Sequence, residues 1–204
     1  MDAKTFEESG YSIVLPIWKK LMGDPSPADE ETFTQKFIKG YDNRASVREG
    51  KPIGTIPDHI IDVIISARLP GVNLGEMWFW HRLSMSAENI LGSILEEYIH
   101  TKVLPYQWSC CWGSSIKLVD FCSSDETLYQ IKNRSNSENS SSSAIRDGTD
   151  IKKWFRIDAR TGKTNWDILS SIIGTPHLFS EEEFAEFCKT LISKNPAVLY
   201  IEQK

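Results

Sequence analysis

Apolar positions in the first half of the chain recur at helical spacing. DEETFTQKFIKGYDNRAS (29–46) sets Phe33, Phe37, Ile38 and Tyr41 three and four residues apart, one stripe of a helix. TIPDHIIDVIISARL (55–69) offers Thr55 as a cap and Pro57 in the first turn, where a missing N–H costs little. SAENILGSILEEYIHTKV (86–103) opens at Ser86 and continues through Ile90, Leu91, Ile94, Leu95 and Tyr98. The period then shortens. WSCCWGSSIKLVDFC (108–122) and TLYQIKNR (127–134) are aromatic and β-branched and flank the turn-forming SSDE (123–126), which predicts a β-hairpin. SNSENSSSS (135–143) has a linker's composition but is short enough to be an ordered loop or a helix start. IKKWFRI (151–157) and NWDILSSII (165–173) read as helical or mixed. SEEEFAEFCKTLISK (180–194) opens on Ser180 and Glu183, a capping box, and AVLYIE (197–202) reads as a final strand. The order predicts a single α/β (α+β) domain, 1–204, with a mixed sheet flanked by helices. Residues 1–85 form its helical part and 86–204 carry the candidate chemistry.

Composition narrows the class. With 40% hydrophobic and 25% charged residues in 204, the chain has the balance of a globular protein, not of a collagen, a disordered tail or a disulfide scaffold. No apolar run is long enough to span a membrane, and MDAKTFEESG lacks the pattern of a signal peptide. Four cysteines without a CxxC fit a reduced, cytoplasmic protein. The net charge of −5 hides a segregation: residues 127–166 carry eight cations and four anions, a local +4, so the remainder sums to −9. A basic face for a polyanion is therefore allowed, beside the plainer reading of a solvated surface. The four histidines are scattered without metal-ligand spacing, and no nucleotide-binding glycine loop occurs. MWFWHRL (77–83) is an aromatic cluster that reads as core or subunit interface ahead of a base-stacking platform.

One constellation carries chemistry. Strand alternation puts Gln130 and Lys132 on one face, with Ile131 on the other, and a hairpin turning in SSDE brings Asp120 beside Lys132. An acid and a lysine gathered there need a reason, because burying either alone is costly. Phosphodiester hydrolysis supplies one: a carboxylate holds Mg²⁺ against the phosphate, and the lysine positions water or stabilises developing charge. Mg²⁺ seeks further oxygens. Glu97, three residues after Ile94 and seven after Ile90, is predicted to point inward as the second acid, with Glu96 toward solvent. The competing reading of Glu97 is an ion pair with a core cation.

A helix with an inward Glu, then IKLVDF (116–121), then QIK (130–132), resembles the PD-(D/E)XK nuclease core. KLVDF…LYQIKNRSNSENSSSSAIR (117–146), followed by IKKWFR and TNW, is similar to type II restriction endonucleases of the SinI and AvaII kind. The resemblance implies Asp120 as metal-binding acid, Lys132 as catalytic lysine and Ile131 as a carbonyl donor to the metal. Gln130 would stand where Asp or Glu is usual, which points to one Mg²⁺ per site. It implies cleavage of double-stranded DNA at a short site, GGWCC (W being A or T), and a companion methyltransferase in a bacterial cytoplasm. A two-fold target further implies a homodimer. The segment leaving the catalytic strand then gains a role: Asn133, Arg134, Asn136, Ser137, Asn139 and Arg146 become candidates for DNA contact, with Lys152, Lys153 and Arg156 on phosphates. Two alternatives stay open: a structure-specific repair or junction-resolving nuclease, and a non-catalytic DNA-binding protein, for which Gln130 leaves room.

Overall fold

A computed structural model describes residues 3–52, 58–135 and 150–201. Helices α1 (Ala3–Ser9), α2 (Tyr11–Met22) and α3 (Pro27–Asp42) come first, then α4 (His59–Arg68) and the 30-residue α5 (Leu74–Val103). Four strands follow: β1 (Trp108–Cys110), β2 (Phe121–Ser123), β3 (Leu128–Arg134) and β4 (Lys152–Ile157). Helices α6 (Trp166–Ile173) and α7 (Glu181–Lys194) end the regular structure. The sheet is mixed, in order β1-β2-β3-β4, antiparallel across the first two pairs and parallel between β3 and β4.

Local chemistry explains most boundaries. Ser26 caps α3 reciprocally with Asp29, and Pro27 occupies the first turn. Ser180 caps α7 by accepting from the Glu183 N–H at 3.1 Å. The Glu183 carboxylate turns instead to Lys102 and to the Tyr98 hydroxyl, so only half of the expected box forms. The predicted hairpin is β2–β3, with Phe121 opposite Tyr129 and Cys122 opposite Leu128. The stretch 108–122 is not one strand. It breaks into β1, a turn at 112–114 and β2 because α3 lies against that turn. A Cβ on Gly40 would come within 2.1 Å of the Gly113 nitrogen, and Gly113 itself has φ +67°.

Several expectations are corrected. Residues 151–157, read as helical or mixed, form β4, which inserts Trp154 and Arg156 into the core at alternate positions. The inward arginine disguised the two-residue period. Residues 197–202, read as a strand, instead begin with a short 3₁₀ turn at Pro196–Val198, and no strand follows through residue 201. Asp58 caps α4 by accepting from the Ile60 N–H, whereas Thr55 and Pro57 lie outside the described residues. Helix α5 starts twelve residues before Ser86, capped by Asn73, so it carries MWFWHRL and crosses the 85/86 boundary.

The C-terminal half of α5 is the axis of the core. Ile94, Leu95, Glu97, Tyr98, Ile99, His100 and Val103 are all buried. Around them lie Val14, Phe33 and Phe37 from the N-terminal helices, Phe121, Ile131 and Trp154 from the sheet, and Trp166 and Phe184 behind. No helix among the described residues is long and apolar enough to cross a membrane.

Candidate active site

Asp120 sits one residue before β2, yet both its backbone groups are engaged. Its N–H donates to the Tyr129 carbonyl at 2.9 Å and its carbonyl accepts from the Cys111 N–H at 2.8 Å. Its Oδ2 accepts from the Ile131 N–H at 2.8 Å, which fixes the carboxylate against β3 between Gln130 and Lys132. Gln130 is buried, and its Oε1 is a buried acceptor without a hydrogen-bond partner. Such an orphan is costly, since an unmatched buried polar atom typically loses about 1–3 kcal/mol. Lys132, two residues on, is half-buried.

The acid that joins this group is Glu96, not Glu97. Burial first, then the neighbouring Asp120 carboxylate, push the Glu96 carboxyl up to about 8, while Lys132 and Arg48 pull it the other way. Arg48 is itself anchored to α5, its Nη2 donating to Ser93 Oγ at 2.8 Å. Glu97 points into the opposite layer. Its Oε2 accepts from the Ser46 N–H at 2.8 Å and its Oε1 lies 3.5 Å from Arg44 Nε. The ion-pair reading describes Glu97, and the assignment of Glu96 to solvent is corrected. Helical phase failed for a physical reason: six of the seven residues from Ile94 to His100 are buried and Glu96 is partly so, so phase selects a layer, not core against water. The adjacent Glu96-Glu97 pair was the visible signal, and Arg48 carried none beyond its charge.

The expected DNA contacts divide into three sets. Arg134, Lys152 and Lys153 are exposed at the β3–β4 side of the sheet. Arg156 is turned inside, only 7% exposed, donating from Nε to Asn133 Oδ1 at 2.9 Å and pairing with Glu181. Arg156 and Asn133 therefore satisfy one another and Glu181, and the assignment of Arg156 to a phosphate is corrected. Asn136, Ser137, Asn139 and Arg146 lie outside the described residues.

The donor set fits a hard cation. Among the described residues no group of three His, Cys, Asp or Glu could hold a metal. The group present is two carboxylates, Asp120 and Glu96, beside the partnerless Gln130 Oε1. All are oxygens, which suit Mg²⁺ and offer no soft ligand for zinc. Two carboxylates so close repel unless positive charge lies between them, and Lys132 supplies part of it.

Known proteins match this frame. The SinI restriction endonuclease family matches residues 18–194. The chain is 40% identical over 172 residues to the type II restriction enzyme Eco47I of Escherichia coli, an overlap of 81% of this chain and 74% of that one. It is 41% identical over 150 residues to the type II restriction enzyme SinI of Salmonella infantis, covering 70% of this chain and 65% of the relative. The matched residues take in α3, α5 and all four strands, and so both carboxylates, Gln130 and Lys132. The chain belongs to the SinI restriction endonuclease family.

Proposed function

We propose that this chain hydrolyses both strands of duplex DNA at a short specific sequence, using Mg²⁺ held at Asp120 and Glu96. The observation that carries the reading is the meeting of Glu96, Asp120 and Lys132 beside the orphaned Gln130 Oε1. The Asp120 and Glu96 carboxylates are the charged donors, Gln130 Oε1 is a neutral one, and the Ile131 carbonyl is the backbone donor that the resemblance assigns. When bound, Mg²⁺ supplies Lewis-acid stabilisation of phosphate charge and eases deprotonation of water. The Ile131 N–H holds the Asp120 carboxylate in place. Lys132, as an ammonium, donates hydrogen bonds to the attacking water or to a phosphate oxygen as negative charge builds there. Water adds to phosphorus, a P–O bond to the sugar breaks, and the departing oxygen takes up a proton.

Arg134, Lys152 and Lys153 are the described cations placed to follow the phosphate backbone. Asn136, Ser137, Asn139 and Arg146 continue as sequence candidates for base contact. The target implied by the family resemblance is GGWCC, with a methyltransferase protecting the host genome in a bacterial cytoplasm. A two-fold target is met most simply by two copies, one catalytic centre per strand.

The test is a plasmid digest across Mg²⁺ concentrations with wild type, Glu96→Gln and Glu97→Gln, followed by sequencing of the cut ends. Discrete fragments ending at one sequence are expected, with Glu96→Gln severely impaired and Glu97→Gln cutting near the wild-type rate. A smear, or cutting only at junctions, would replace restriction by repair. No cleavage under any divalent metal would leave a DNA-binding protein.

A further inference from the structure

Between the turn that follows α3 and the flank of α5 lies a cleft of about 230 Å³. Its polar lining is Asn43, Arg48, Lys51, Ser86 and Asn89, with Glu49 as the opposing acid. Ser86, Asn89, Ser93 and Glu96 follow one another along α5 at steps of three, four and three residues. A polar line thus runs from the cleft to the catalytic glutamate. Arg48 joins the two: it lines the cleft, donates from Nη2 to Ser93 Oγ at 2.8 Å and acts on the Glu96 carboxyl. The backbone that presents it is held from behind. Asn195 Nδ2 donates to the Ala45 carbonyl at 3.2 Å and to the Arg48 carbonyl at 2.8 Å. The Gly50 N–H donates to the Ala197 carbonyl at 2.8 Å. Neither cation is consumed by an acid: among the described residues Arg48 makes no ion pair, and the exposed Lys51 neither an ion pair nor a hydrogen bond. Beyond Asn43 and Lys51 the cleft is continued by a wider hollow of about 830 Å³, where Lys36 and Lys39 stand against Asp42. Four cations therefore face two acids here, although the chain outside 127–166 sums to −9.

We propose that this track positions the strand being cut: Arg48 and Lys51 hold a backbone phosphate beside the scissile one, and Lys39 and Lys36 follow the strand outward. The assignment rests on the reading of the chain as a nuclease acting at Asp120 and Glu96. It adds a second row of cations to Arg134, Lys152 and Lys153 on the sheet. The ligand class follows from the donors, since guanidinium, ammonium and side-chain amide groups together suit a phosphate anion. The place follows from the helix. Asn89 stands seven residues before Glu96, about 10 Å along α5, within about three steps of a strand that rises about 3.4 Å per phosphate. The use follows from charge. Glu96 and Asp120 repel a polyanion, and a neighbouring phosphate held on a pinned backbone fixes the scissile one against them.

The experiment measures binding of the full-length protein to a short duplex by fluorescence anisotropy across salt concentrations, with Ca²⁺ in place of Mg²⁺. The duplex carries the sequence found at the cut ends, or a random one if nothing is cut. Wild type is compared with Lys51→Ala, Arg48→Ala, Arg48→Lys and Lys189→Ala, the last an exposed cation of α7 outside the track. Lys51→Ala and Arg48→Ala should each reduce the magnitude of the slope of log K against log salt by about 0.9, one phosphate contact. Arg48→Lys and Lys189→Ala should keep the wild-type slope. A wild-type slope in either Ala variant of the track overturns the proposal. So does an Arg48→Lys slope as low as that of Arg48→Ala, which would mean lost bracing of α5 and not lost charge. An equal fall for Lys189→Ala would mean long-range charge and overturns it as well. If Arg48→Ala does not fold, Lys51→Ala decides alone, because Lys51 is exposed and ties no element to another. Cleavage separates the two readings. A wild type that binds duplex but never cuts sinks the nuclease reading, and the slopes still judge the track. A wild type that cuts while Lys51→Ala keeps its slope sinks the track alone. A wild type that binds no duplex sinks both.

Discussion

The two sides of α5 treat buried polar groups in opposite ways. Toward the N-terminal helices, Glu97 is matched by the Ser46 N–H and Arg44. Between the two sides, His100 donates from Nε2 to the Glu8 carbonyl of α1 and accepts at Nδ1 from the Cys110 N–H of β1. Toward the sheet, Glu96 faces Asp120, a like charge, and Gln130 keeps an acceptor without a donor. The first arrangement is what stability requires of polar groups in a core. The second raises the energy of the folded chain and becomes reasonable only if something else, a cation and a phosphate, completes it. Residues adjacent in sequence, 96 and 97, therefore belong to different functions because a 100° step on a helix packed on both sides changes layers.

Substitutions can break this contrast. The largest effect is expected on the sheet side. Lys132→Ala should lower single-turnover cleavage by on the order of 10²–10³ while specific DNA binding persists, since the lost contact strengthens only as charge develops. Asp120→Ala should be as inactive, and Mg²⁺ should no longer tighten its binding to DNA in a titration. Wild-type turnover by either would remove the site from this side of α5.

At the polar groups whose partners are complete the effects should fall on stability. Burial, only partly offset by the Glu8 carbonyl, lowers the His100 imidazole to about 4, with the Arg44 charge adding to the fall. A group whose folded value is depressed below its unfolded value of 6.5 favours the native state while neutral. Its contribution, about 3 kcal/mol, is thus full above pH 6.5 and is lost as the pH falls toward 4. Denaturant unfolding of wild type against His100→Gln across that window should show the slope in the first and its loss in the second. Equal slopes would mean that the imidazole is not the group responsible.

Glu97→Gln should come next, lowering unfolding free energy by about 1–3 kcal/mol through the weakened contacts to Ser46 and Arg44. Its cleavage rate below the transition should stay near wild type, whereas a collapse of cleavage with unchanged stability would exchange the roles of 96 and 97. The smallest effect is expected for Gln130→Glu, which restores the common acidic form beside two existing carboxylates. Cleavage should persist, with half-maximal rate at lower Mg²⁺ concentration. An unchanged Mg²⁺ profile would separate Gln130 from the metal.

Much of the framework could be read in one dimension because it rests on neighbours in sequence. Helical stripes placed α3 and the second half of α5, the cap at Ser180 placed the start of α7, and SSDE placed the β2–β3 turn. The pairing of Asp120 with the 130–132 triplet followed from the two-residue period of a strand and the length of the turn. Strand β4 escaped because Arg156 occupies an inward position, tolerable only where Asn133 and Glu181 meet it, and those partners are 23 and 25 residues away.

The sequence by itself determined which residues could do chemistry: an acid before one strand, a glutamine and a lysine on the next, and two glutamates on a helix between apolar turns. Tertiary structure decided which glutamate serves. The Ser46 N–H and Arg44 capture Glu97, while the layer holding Asp120 and Lys132 receives Glu96. It also left Ile60, Ile61, Val63, Ile64, Leu69 and Trp80 exposed, although their apolar character alone would place them in a core. Local periodicity encodes the direction of a side chain relative to its own helix. What stands in that direction is set by segments tens of residues away, whose contacts no single stretch of sequence contains.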